Sequence, residues 1–235
     1  MSSENSKNRS RTAVELVEEL RRDPQHAVRV EQRDSERQRQ AEEDARAAAP
    51  LVAELAAIGL AVSSVADLFN RRMDYRAAIP LLLTWLPKTT NPAVKECIVR
   101  ALSVKWAKPV GAPLMVDEFE RADDPSGIGL RWAIASALEV IADDSVFDEI
   151  VRLARDRRNG KAREMLVMAL GQMQNPGAIG VLTEFLSDED VAGYAVIALG
   201  RLKAKEARTL IVPFLRHGKS WVRKEAKRAL SRIDK

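Results

Sequence analysis

The sequence predicts an all-α fold, an α-α superhelix of about five helix pairs behind an N-terminal capping region. Three observations predict it. First, five segments share one apolar template: starting from Val94, Leu130, Ala162, Val191 and Val222, apolar side chains recur at offsets 0, +4, +7 and +8, one face of an α-helix. Offset +7 is alanine every time (Ala101, Ala137, Ala169, Ala198, Ala229) and +8 is leucine every time (Leu102, Leu138, Leu170, Leu199, Leu230). A small residue where backbones touch, with a leucine beside it to fill the gap, is what closely stacked helices need. At +11, Ile141, Met173, Leu202 and Ile233 continue the face and Lys105 interrupts it.

Second, each template segment is preceded by a companion with its own columns. Ala78, Ala112, Val146, Ala178 and Ala207 lead, followed four residues on by Leu82, Val116, Ile150, Leu182 and Ile211, and three further by Trp85, Phe119, Leu153, Phe185 and Phe214. Leaders are 34, 34, 32 and 29 residues apart, the period of a helix-pair repeat. Third, the 235 residues are 46% hydrophobic but only 5% aromatic, rich in the Ala and Leu that suit helix packing over a β-sandwich.

In chain order, residues 1–46 read as a polar N-terminal arm. Residues 1–10 carry nothing to bury and are expected to be disordered. Thr12 to Leu20 reads as a short amphipathic helix on Val14, Val17 and Leu20, with Thr12 and Glu15 as a capping box and Pro24 ending it. Glu31 to Arg46 has almost no apolar side chain, and the absence of Gly and Pro favours a solvated helix over a flexible arm. Residues 47–74 read as irregular capping helices: Leu51, Leu55 and Ile58 align, Gly59 supplies a C-cap, Pro50 marks a kink or a start, and Val65 to Phe69 adds a turn. Residues 75–235 hold the five pairs, with Asn91, Ser126, Asn159, Asp188 and Ser220 as expected caps of the second helices, Pro92 and Pro176 near first turns, and Gly218 after a first helix.

The stretches DVAGYAVIALGRL at 190–202, SWVRKEAKRALSRI at 220–233 and NPAVKECIVRALSV at 91–104 resemble the HEAT-repeat family, in particular its short bacterial type known as phycobilin-lyase-like repeats. The resemblance covers residues 75–235 and lies in packing positions, so it implies an open helical solenoid and says little of activity. It also implies that the basic position one step after the first residue of each template segment (Lys95, Arg131, Arg163 and Arg223, with Ala192 departing) pairs with an acidic or amide group near a turn, forming a ladder. The alternative for the same row is a basic face for a phosphate backbone or acidic peptide.

No catalytic set is visible. His26 and His217 are the only histidines, there is no HExxH and no phosphate-binding glycine loop, and Cys97 reads as a buried inert thiol on the apolar side of its helix. No cofactor and no metal are expected. The remaining reading is a non-enzymatic scaffold that binds another protein on the concave face of the stack. Trp132 with Arg131 and Arg163 are its candidate contacts, since an aromatic beside an arginine suits an interface anchor. Trp85, Trp106 and Trp221 also invite a base-stacking reading, with Trp85 assigned to the core.

Nucleic acid is the alternative partner, through the basic C-terminal end. From Arg201 to Lys235 twelve Lys or Arg face three acidic residues, a local +9 in a chain of net +4. Arg223, Lys224, Lys227 and Arg228 are the residues expected to touch it; the structural alternative is a solubilising cap on the last repeat. The single cysteine and the lack of an apolar leader point to a reducing cytoplasm, and no membrane insertion is expected.

Overall fold

The computed structural model describes Thr12 and residues 23–124 and 127–235. Apart from Thr12, the predicted helix from Thr12 to Leu20 lies outside these residues, as do the polar segment before it and the Ser126 cap. Every regular element among the described residues is helical. The chain divides into two compact units, 1–47 and 48–235.

Helix α1, Pro24–Ala57, is a single 34-residue helix. Pro24 opens it where a missing N–H costs nothing, and the Asp23 carboxylate accepts from the Gln25 amide at 2.9 Å. Over residues 24–47 it is solvated and carried by local pairs such as Arg37–Asp34 and Gln40–Asp44, with no apolar face. Pro50 neither starts nor ends it. The proline stands at an exposed position, where water can take the Arg46 carbonyl that loses its helical donor.

In the second unit, Leu51 and Leu55 are fully buried, whereas Ile58, predicted on the same face, falls just past the helix end and is 44% exposed. Gly59, at φ +87°, closes α1: the Leu60 amide reaches back to the Leu55 carbonyl at 2.9 Å, a Schellman-type closure that favours glycine. Helix α2, Asp67–Asn70, follows, its Asp67 carboxylate held by the Ser63 hydroxyl and the Ser63 and Ser64 amides.

The first helices of the five pairs are α3 (Ile79–Trp85), α5 (Gly111–Arg121), α7 (Phe147–Arg155), α9 (Ala178–Glu184) and α11 (Arg208–Ile211), several entered or left through 3-10 turns. The second helices are α4 (Pro92–Leu102), α6 (Leu130–Ile141), α8 (Ala162–Leu170), α10 (Ala192–Arg201) and α12 (Ser220–Ile233). Each second helix packs on its own first helix and on the second helices before and after it.

All five alanines at +7 and all five leucines at +8 are buried. Where α8 meets α10 and α10 meets α12, the alanine finds a glycine across the interface. A Cβ on Gly171 would lie 2.7 Å from the Ala198 Cα, and one on Gly200 would lie 2.6 Å from the Ala229 Cα, so only glycine permits this approach. Lys105 departs from the template because α4 stops at Leu102, which leaves Lys105 exposed in the next turn.

The expected caps divide. Asn91 caps α4, accepting the Val94 amide at 3.0 Å, and Pro92 is its first residue. Asn159 is no cap; it is buried and its amide donates to the Leu153 carbonyl at 2.8 Å. Ser220 lies inside α12 rather than before it, and the Asp188 side chain accepts from the Asp190 amide and from an arginine instead of capping α10. Asp124 takes the amides of Gly127, Gly129 and Arg131 at 3.1, 2.9 and 3.0 Å at the entry to α6.

Candidate functional site

The basic column turns out to hold four different environments. Lys95 reaches forward to Glu118 at 2.5 Å, and that buried carboxylate also meets Arg121 at 3.2 Å. Arg163 is 2% exposed: its Nε donates to the Ala154 carbonyl at 2.6 Å and its Nη2 to Asp188 at 2.6 Å. It ties a first helix, a second helix and the next linker together, which removes it from the set of surface contacts predicted for it. Arg223 is exposed and donates to the carbonyls of His217 and Gly218, both at 2.8 Å, closing the turn before α12.

Burial acts to raise the Asp188 carboxyl. The bonds from Arg163 and the Asp190 amide, with the charges of Arg163 and Arg157, outweigh it and leave the group below the ordinary aspartate value.

Arg131 differs again. Its guanidinium lies 5.7 Å over the Phe119 ring, and its buried Nε finds no hydrogen-bond partner among the described residues. Asp156 stands 25 residues after Arg131, as Asp188 stands 25 after Arg163, but it is bound to Arg158, through Nε at 2.9 Å and Nη2 at 2.7 Å. Those bonds hold the Asp156 carboxyl down to about 2. Arg131 therefore borders an open groove of about 380 Å³ with Phe119, Glu120, Arg152, Asp156 and Arg158 on its walls.

Trp132, the next residue, points elsewhere. It is half-buried in a groove of about 390 Å³ between α4 and α6, lined by Glu96, Arg100, Ser103, Ile128, Ala133 and Ser136. Ile128, on the loop before α6, is 63% exposed and supplies a second apolar surface there. Glu96 and Arg100 pair at 2.5 Å along one wall. The groove thus combines an aromatic side, an isolated apolar side chain and a charged pair. Trp132 was legible from its position two steps into the template; Ile128, in a glycine-flanked loop, carried no periodic signal.

The other tryptophans are committed to neighbours. Trp85 donates to Glu54 at 3.2 Å; Trp106 meets the Tyr75 ring edge-on at 5.7 Å with Arg76 over its own ring. Trp221 packs onto Gly193, where a Cβ would fall 2.4 Å from its ring, and lies 5.2 Å from Tyr194. Burial, then the Glu164 carboxylate, pushes the Tyr194 hydroxyl up to about 12.

At the C-terminal end, Lys224, Lys227, Arg228 and Arg232 are exposed on the face of α12 opposite the buried Val222, Ala226, Ala229 and Ile233. Arg228 pairs with Glu225 at 2.5 Å, and Arg208 holds Asp234 at 2.7 and 3.3 Å. Cys97 is half-buried against the core rather than fully enclosed. His217 accepts the Lys219 amide at 3.1 Å and stacks on Phe214, a turn-forming role. Among the described residues, no group of three or more His, Cys, Asp and Glu is placed to hold a metal ion, and no helix is long and apolar enough to cross a membrane.

Comparison of the chain with protein-family models, with curated proteins and with solved structures finds no match.

Proposed function

We propose that the protein is a non-enzymatic binding scaffold, a HEAT-type α-α solenoid that holds another protein along its second helices. The observation that supports this reading is the groove between α4 and α6, where Trp132 and the exposed Ile128 face the Glu96–Arg100 pair. Such a surface suits a partner segment that inserts one apolar side chain and bonds at the rim, as interface anchors do. The experiment compares capture from the native host by the wild type and by a Trp132→Ala, Ile128→Glu variant of unchanged circular dichroism. The same partner is expected on the wild type and lost from the variant, while a Lys224→Glu, Lys227→Glu variant retains it. Equal recovery by all three would overturn the reading.

A nucleic-acid binder is the second reading, favoured by the exposure of Lys224 and Lys227 on a helix face whose only acidic residue, Glu225, is paired with Arg228. Duplex binding that falls with salt and is lost on reversing Lys224, Lys227 and Arg228 would replace the protein-binding assignment.

A further inference from the structure

We propose that the groove beside Arg131 is a binding site for a small oxyanion, a phosphate or carboxylate group, held by Arg131 with Arg152 and Arg158. It is separate from the Trp132 groove and stands whatever occupies that surface. At the equivalent position one pair later the arginine is satisfied twice, its Nε by the Ala154 carbonyl and its Nη2 by Asp188.

At Arg131 the matching carboxylate has been taken. Asp156 bonds Arg158, two residues on, while the residue two after Asp188 is Asp190, which cannot compete. The Arg131 Nη groups thus make no hydrogen bond to the aspartate that is the counterpart of the one Arg163 Nη2 binds; the Arg131 Nε, whose counterpart meets a backbone carbonyl, is buried without an acceptor, and Phe119 stacks the guanidinium. Leaving a donor unpaired is unfavourable, and Arg131 borders the open groove.

The walls carry three guanidinium groups against two carboxylates. Arg152 pairs with Glu120, and Arg158 with Asp156. The walls therefore carry one positive charge in excess. An acceptor-only ligand matches that excess, because the three guanidinium groups offer their donors in planar forks. Glu120 and Asp156 disfavour an extended polyanion, so the ligand is a small group. The Arg163–Asp188 contact shows how an arginine in this column donates to an oxyanion, through Nη2.

The test uses the whole protein with inorganic phosphate as the probe, against chloride at the same ionic strength, read by calorimetry and by thermal unfolding. Phosphate is expected to bind the wild type and to raise its Tm by mass action. Arg131→Met should weaken binding roughly tenfold or more, as for loss of a charge-assisted bidentate partner. Two further variants leave Arg131 in place and move the effect in opposite directions. Asp156→Asn removes a competing carboxylate and should tighten phosphate, whereas Arg158→Ala frees Asp156 to fill the site from within and should abolish binding. Succinate as a second probe distinguishes phosphate from carboxylate as the preferred group, and either preference fits. No stabilisation of the wild type, or equal stabilisation of all four proteins, would overturn the proposal.

Discussion

The linker after α7 reads Asp-Arg-Arg at 156–158 and the linker after α9 reads Asp-Glu-Asp at 188–190, and that reversal of charge separates the fates of two arginines in one column. Arg163 reaches its aspartate across the junction and is sealed in; Arg131 faces an aspartate already bound to Arg158. The two junctions share helix positions, spacing and the leading carboxylate. What differs is a local competitor two residues away, which wins because closing a two-residue loop costs less conformational freedom than holding a pair across 25 residues. A repeat column thus fixes where a side chain starts and leaves its partner to the linkers.

The largest expected effect is at Arg163. Arg163→Met should destabilise by about 3 kcal/mol in urea unfolding, because it leaves Asp188, whose side chain is 14% exposed, without its main counter-charge. Arg131→Met should cost less than about 1 kcal/mol, since no hydrogen bond of Arg131 is lost and an unsatisfied donor disappears. Equal losses at the two positions would break the comparison.

Next comes the close approach that belongs to the Arg163 side. At offset +9 of the template α8 carries Gly171, while α6 carries Glu139, which pairs with Arg201 of α10 at 2.6 Å. Gly171→Ala should cost roughly 1–3 kcal/mol through overpacking against the Ala198 backbone. Gly180→Ala, where a Cβ would meet nothing within 4 Å, is the control and should be neutral or slightly stabilising. Similar costs for both would mean that the interface yields and that the glycine is not required there.

A smaller effect sharpens the competitor argument directly. Asp190→Arg gives the second linker the charge pattern of the first, and it should draw Asp188 off Arg163 at a cost of about 1 kcal/mol. Because Asp190 has a side chain 77% exposed, the substitution touches no packing. Unchanged stability would show that linker charge does not select the partner.

These residues also show what the sequence could and could not carry. The five alanine and leucine columns are legible because burial acts on every repeat alike, and the 3.6-residue period projects directly onto one helix face. Helix boundaries were less legible. Pro50 sits inside α1 because its exposed position lets solvent replace the lost bond, and Asp124, which no periodic signal marked, takes amides in the turn before α6. Exposure and loop geometry are tertiary outcomes, invisible to a periodicity argument. Trp132 could be singled out from its column, but Ile128 could not. Most telling, Arg131 and Arg163 have an aspartate at the same 25-residue spacing, and spacing alone assigns both the same partner. The deciding residues, Arg158 and Asp190, lie outside the periodic columns, and their weight becomes clear only once the linkers are folded.

The pH dependence of the two junctions supplies the last test. Asp188 has a folded pKa below its unfolded value, so the unfolded chain takes up the proton first. The stability it contributes is complete above the ordinary aspartate pKa of about 3.9 and is lost as the pH falls through the lower folded value. Removing Arg163 inverts the sign: burial, which already works to raise the Asp188 carboxyl, then dominates, and protonation relieves rather than damages the fold. The gap in urea midpoint between wild type and Arg163→Met should therefore be widest near pH 7 and should narrow toward pH 3. Asp156 shifts in the same direction, to about 2, but its partner Arg158 is almost wholly exposed, and solvent screens the pair. Asp156→Asn should accordingly leave the acid limb of the unfolding curve nearly where it is. A gap for Arg163→Met that stays constant with pH would mean that Asp188 is not the charge left behind, and that the two arginines differ by packing alone.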